Sequence, residues 1–257
     1  MRQKIPESKP DYIKTGIVCG CLPTQHGILQ EQLYHQILSA EVMQCAGVRL
    51  SISSAWYTKL HNGTDVCEKL IEEARPEILL YHVRPDPYLR ASKLMMSYRT
   101  QSGIKKRRLN FDANDCMAFD RDDNMAEQSV RKEKGKVRAY FRHLNYVLGL
   151  LAGSNKNAVK KQAATIESVL ALAHKNNIRV FIVGPASRPR SRVEEFLLNR
   201  LENTLRTRFQ GGQYITCIGS NGATGEPLFF DDGIHVNPAG HRRFAELIFK
   251  QLKPHLH

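Results

Sequence analysis

The sequence predicts an α/β protein, a doubly wound and mostly parallel five-stranded sheet held between two layers of helices as a three-layer α/β/α sandwich. Three observations predict it. Short apolar runs of strand length recur five times, and most end in small or turn residues such as Gly20, Ser53-Ser54, Arg84-Pro85 and Gly184-Pro185. Between them lie stretches with apolar residues at helical spacing, and strands that alternate with helices pair in parallel because the crossover carries the chain back over the sheet. A chain of 257 residues with 42% apolar content is also long enough for one sizeable core.

Residues 13–21, Ile-Lys-Thr-Gly-Ile-Val-Cys-Gly-Cys, form an apolar run ending in small residues, the first strand opening into a turn. Ile28 to Cys45 places Ile28, Leu29, Leu33, Ile37, Leu38 and Val42 at helical spacing. Gly47 to Ser53 alternates apolar and polar residues and reads as the second strand, with Ser53-Ser54 at its end. Thr64 to Ala74 is a helix closed by Pro76, and Glu77 to Val83 is a third strand stopped by Arg84-Pro85.

From Pro87 to about Lys136 the alternation fails. The stretch is charged and poorly periodic, with Lys105-Lys106-Arg107-Arg108 and Asp120-Arg121-Asp122-Asp123, and reads as an insertion of helices and mobile loop that shapes substrate access. Val137 to Leu151 and Val159 to Asn176 are helices, Ile178 to Gly184 is a strongly β-prone fourth strand, and Arg190 to Phe209 is a helix. Gln213 to Ile218 is the fifth strand, and Pro238 to Leu252 the closing helix. The whole chain, 1–257, reads as one domain with the insertion at about 87–136.

The net charge is +13 and the pI near 9.6, so nucleic acid, an anionic membrane surface and acidic substrates all rank as conceivable partners. No nucleic-acid-binding module is recognisable, which argues against the first. The run Ile17 to Leu22 is too short for a signal sequence or membrane span, and the expected location is the cytoplasm. The six cysteines lack framework spacing and are expected to be reduced thiols. No cofactor or metal is expected: Cys19-Gly20-Cys21 has no second ligand pair to complete a site.

In an open α/β sheet ligands sit beyond the carboxyl ends of the strands. The expected rim therefore comprises 19–24, 51–57, 82–86 and 184–188, joined by the loop Phe229-Phe230-Asp231-Asp232-Gly233-Ile234-His235. Asp232 can accept a hydrogen bond from one ring nitrogen of His235, fixing the tautomer and leaving the other nitrogen as a general base. The competing account is a surface loop whose aspartate caps a helix beside an incidental histidine. Arg188, Arg190 and Arg192 bring cations to the same rim, which favours an anionic substrate such as an acidic sugar or phosphorylated ligand, or equally forms a solvated helix start.

The string Asp232-x-x-His235 followed by Asn237, Gly240 and an amphipathic helix resembles the last sequence block of the SGNH, or GDSL-type, esterase and lipase family. The resemblance implies that family's sandwich fold and hydrolysis of an ester, or acetyl ester, of a small molecule or glycan. Laid on the family pattern, Cys19-Gly20-Cys21-Leu22 falls where Gly-Asp-Ser-Leu would stand, so that Cys21 takes the nucleophile position. Ser54 then replaces the oxyanion glycine, and Val83-Arg84-Pro85-Asp86 replaces Gly-x-Asn-Asp, with Arg84 or Pro85 where the asparagine belongs. These departures leave three readings: a hydrolase with Cys21, His235 and Asp232 and with Ser54 and Arg84 at the oxyanion; a non-catalytic relative that binds an anionic ligand or partner at the rim; and a polyanion binder acting through Lys105–Arg108.

Overall fold

The computed structural model describes residues 12–20, 22–25, 27–57, 59–60, 62–99, 105–109, 135–186, 191–209, 213–216, 226–230 and 235–256, with the backbone alone at 24, 96–99, 105–109 and 135–139. The main sheet is built from β1 (Tyr12–Cys19), β2 (Arg49–Trp56), β3 (Ile78–His82), β6 (Arg179–Val183) and β7 (Tyr214–Ile215). Its order is β2-β1-β3-β6-β7 and every pairing is parallel. The strand order reverses between β1 and β3, and at such a switch point the crossovers on either side diverge and leave a crevice.

Alternate residues of each strand feed the two faces, as the pleat requires. Val18, Leu79, Tyr81, Val180 and Ile182 pack beneath α2 (Asn62–Ala74), α5 (Ser154–Lys175) and α6 (Arg192–Arg208). Ile17, Leu50, Leu80, Phe181 and Ile215 pack beneath α1 (Tyr34–Ala46) and α7 (Pro238–Leu252). Each fully buried Leu, Ile or Phe in these layers is worth about 1.5–3 kcal/mol. The three-layer sandwich expected from the alternation of elements is the architecture observed.

The structure departs from the sequence reading in four places. The first helix begins at Tyr34, preceded by a 3-10 turn at Gln30–Gln32, because Leu33 is extended (φ −70°, ψ 136°). β2 does not stop at Ser53 but continues to Trp56, since every residue from Arg49 onward pairs with β1. β7 is only two residues long. The insertion opens with a short helix, α3 (Pro85–Ala91), and then an antiparallel pair, β4 (Met95–Arg99) with β5 (Lys105–Leu109), where helices were expected. A run of cations has no apolar periodicity, so only its partner strand defines it; the acidic run at 120–123 lies outside the described residues. α4 (Gly135–Leu151) then leads back to the core.

Among the described residues Cys19, Cys45 and Cys67 form no disulfide, and no helix is long and apolar enough to cross a membrane.

Candidate active site

The parallel pairing brings the ends of β1, β2, β3 and β6 to one rim. Tyr57, directly after the edge strand β2 and 1% exposed, reaches across this rim. Its hydroxyl donates to the His82 carbonyl at 2.8 Å and accepts the Arg84 backbone N–H at 2.9 Å. Burial pushes the Tyr57 phenol up to about 12, so it stays a neutral donor.

Arg84, the residue that stands in the asparagine block, is half-buried at the end of β3. Its Nη1 donates to the Tyr57 carbonyl, and its guanidinium carbon lies 5.6 Å from the Tyr57 ring centroid and 5.9 Å from that of Trp56. Both distances fall within the range of cation–π attraction. The guanidinium also packs against Gly20: a β-carbon there would stand 2.7 Å from Nε. Glycine at position 20 therefore lets a fixed cation close on the end of β1, one residue from Cys21.

The histidine loop is held by a separate set of bonds. Phe229 and Val236 form an antiparallel bridge, Phe230 N–H donates to the His235 carbonyl at 2.9 Å, and Asn237 N–H donates to the Leu228 carbonyl at 3.1 Å. The Asn237 side chain caps α7 by accepting from Gly240 N–H at 2.9 Å, and its amide donates to the Pro227 carbonyl at 2.7 Å. A β-carbon on Gly240 would overlap the Leu228 carbonyl oxygen. The asparagine and glycine of the C-terminal block thus lock the 226–230 segment to the helix that follows His235. Asn237→Ala is expected to cost about 1 kcal/mol and Gly240→Ala about 3 kcal/mol, read as shifts in urea midpoint; equal small losses would contradict this account of Gly240.

One bond links the histidine loop to the segment after β1. Gln25 is buried, and its Nε2 donates to the Val236 carbonyl at 2.7 Å. The bond joins a residue four positions after Cys21 to the neighbour of His235, and Leu22 packs into the same apolar cluster as Val236.

Of the five residues singled out in the sequence, Arg84 and half-buried His235 lie at the rim, while Cys21 and Asp232 fall outside the described residues. Ser54 sits inside β2 opposite Ile17, two residues short of the strand end, because β2 runs on to Trp56; the rim residues on that strand are Trp56 and Tyr57. Arg188 and Arg190 are also outside the described residues, and Arg192 is exposed at the start of α6.

The other rim histidines belong to the core. His82 is 4% exposed, its Nε2 2.9 Å from the Tyr34 hydroxyl, and burial lowers it to about 3. His241 is fully buried in the first turn of α7, accepts the Tyr34 backbone N–H on Nδ1 at 3.2 Å, and is lowered to about 4 by burial and by His35. Both are neutral at pH 7. Among the described residues no group of three or more His, Cys, Asp or Glu is placed to hold a metal ion. Sequence reasoning put Trp56 and Tyr57 within the expected rim 51–57 but gave neither a role; the aromatic pair at a strand end was the available signal.

This α/β/α sheet order, closed by the helix that follows His235, is a fold the chain shares with solved esterase and lipase structures. Along almost its entire length the chain is similar in fold to the lipase Lip_vut3 from goat rumen metagenome, with TM-score 0.58 and 8% identity over 95% of this chain and 100% of that one. It is likewise similar to TesA, with TM-score 0.55 and 13% identity over 95% and 99%. The esterase EstA from Pseudoalteromonas sp. gives TM-score 0.52 and 10% identity over 95% and 98%. No protein-family model and no curated protein sequence matches the chain.

Proposed function

We propose that this chain is an ester hydrolase in which Cys21 is the nucleophile, His235 the general base and Asp232 the group that orients it. The observation that carries this reading is the buried Gln25–Val236 bond, which ties the stretch just after the first strand to the histidine loop. The similar folds include an esterase and a lipase by name.

In the proposed reaction His235 takes the thiol proton as the Cys21 sulfur attacks the ester carbonyl carbon, and the carbonyl electron pair moves onto oxygen. The Cys21 amide and the Arg84 guanidinium donate to that oxyanion; Arg84 supplies the donor that an asparagine supplies elsewhere in the family, with a full positive charge. The alcohol leaves with the proton held by His235. A water deprotonated by His235 then cleaves the thioester, releasing the acid and restoring the thiol. The Arg84 cation and the net charge of +13 favour an anionic ester of a small molecule or glycan.

Turnover of p-nitrophenyl acetate tests the proposal. Activity should vanish in Cys21→Ala and persist in Cys116→Ala; activity unchanged by Cys21→Ala would refute the nucleophile. A second reading is favoured by the packing of Arg84 against Gly20, which puts a cation where an acyl group would approach. In that reading the chain is a non-catalytic relative that holds an anionic ligand at the rim. Wild-type protein with no turnover, but with phosphate binding lost in Arg84→Ala, would place it ahead.

A further inference from the structure

α4 carries apolar side chains on two sides. Its inner side buries Tyr146, whose hydroxyl donates to Glu194 Oε1 at 3.2 Å, as an amphipathic helix on a core should. Its outer side is apolar as well. Tyr140, Phe141, Leu144, Leu148 and Leu151 are exposed, Tyr140 by 68%, Phe141 by 63% and Leu151 by 79%. At 100° per residue these five fall within an arc of about 100°, a continuous stripe three turns long. The Tyr140 and Phe141 rings meet edge to face, 6.2 Å between centroids. A contiguous apolar patch facing water marks an interaction surface.

The surroundings say what the surface meets. The Asn145 side chain clamps Met95 of β4 through both backbone groups, accepting its N–H at 2.7 Å and donating to its carbonyl at 2.8 Å. β5 pairs with β4 so that Arg108 stands opposite Met96, the residue beside that clamp. The cationic strand Lys105-Lys106-Arg107-Arg108 is thereby fastened to the helix that bears the stripe. α4 adds Lys136, Arg138 and Arg142, and neither α4, β4 nor β5 contains an Asp or Glu.

We propose that the exposed α4 stripe, with the cation-rich β4–β5 pair fastened beside it, forms a docking surface for an anionic lipid bilayer, the aromatic and leucine side chains of α4 entering the headgroup region. An apolar helix face flanked by cations gains from both parts of such a surface. A symmetric pair of chains joined through the stripe would bring two cation-rich strand pairs together, which like-charge repulsion opposes. Nucleic acid would satisfy the cations and leave three leucines in water. The lipid surface does not depend on the hydrolase reading, because no rim residue takes part in it.

The experiment is co-sedimentation of the full chain with phosphatidylcholine vesicles, with or without phosphatidylglycerol. Binding should require phosphatidylglycerol and weaken at high salt. The double variant Phe141→Ser/Leu148→Ser, with unchanged circular dichroism, should bind at least about tenfold more weakly. Lys105→Gln/Lys106→Gln should lose about fivefold per cation removed. Equal sedimentation with both vesicle types, no sedimentation, or binding that ignores the stripe variant would overturn the proposal. So would a wild-type dimer that the stripe variant renders monomeric, or tighter retention on single-stranded oligonucleotide than on vesicles.

Discussion

His235→Ala is expected to lower p-nitrophenyl ester turnover by about 10²–10⁴-fold, the contribution of a positioned general base. The backbone of the loop is fastened through the His235 carbonyl, the Phe229–Val236 bridge and the Asn237 cap. Asp232→Asn should lose activity for a different reason, since an amide favours the wrong ring tautomer. Turnover and urea midpoint measured on the same preparations separate lost chemistry from lost folding. A His235→Ala protein that hydrolyses ester at the wild-type rate would remove His235 from the mechanism, and with it the Cys21–His235–Asp232 triad.

Acidification from pH 7.5 to pH 5 is expected to strip away much of the folding stability. His82 and His241 are buried as neutral rings, with values lowered to about 3 and about 4 from the ordinary 6.5, chiefly by burial. His35, buried beside them, is lowered as well. A depressed folded value means that the unfolded chain binds more protons between the two values. The stability is therefore complete above 6.5 and lost as pH falls toward 4 and then 3. Each of the two deeper rings costs about 1.4 kcal/mol per pH unit below 6.5, or roughly 4 kcal/mol together at pH 5, against a total of about 5–15 kcal/mol for a typical domain.

The check is the urea midpoint at pH 7.5 and pH 5. His82→Gln keeps a hydrogen-bonding group near the Tyr34 hydroxyl but cannot ionise, so it should flatten the dependence by about one proton. A midpoint that does not move between the two pH values would show that the rings ionise inside the fold.

The two predictions mark how differently the histidines could be read from sequence. His235 follows an aspartate by three residues and precedes Asn-Pro, a local pattern that names its own role. His82 and His241 carry no such pattern. His82 ends an apolar strand and His241 opens a helix, and only the packing of Tyr34 between them makes both rings core groups. Ser54 illustrates the opposite error: the serines looked like a strand end, yet pairing with β1 carries β2 two residues further. The Tyr57–Arg84–Gly20 cluster joins three segments far apart in the chain, and nothing local announces it.

By itself the sequence determined the layered α/β architecture, the strands Tyr12–Cys19, Ile78–His82 and Arg179–Val183 to within a residue or two, and the closing helix Pro238–Leu252 at both ends. Those features follow from short-range physics: apolar runs of strand length, and an asparagine cap with proline at the first helical turn. Tertiary structure alone decided that β2 is a long edge strand, that Lys105–Leu109 pairs with a strand clamped to α4, and that Arg84 closes on Gly20. Those depend on which backbone meets which across the sheet, and pairing energy between distant segments leaves no periodicity in either one.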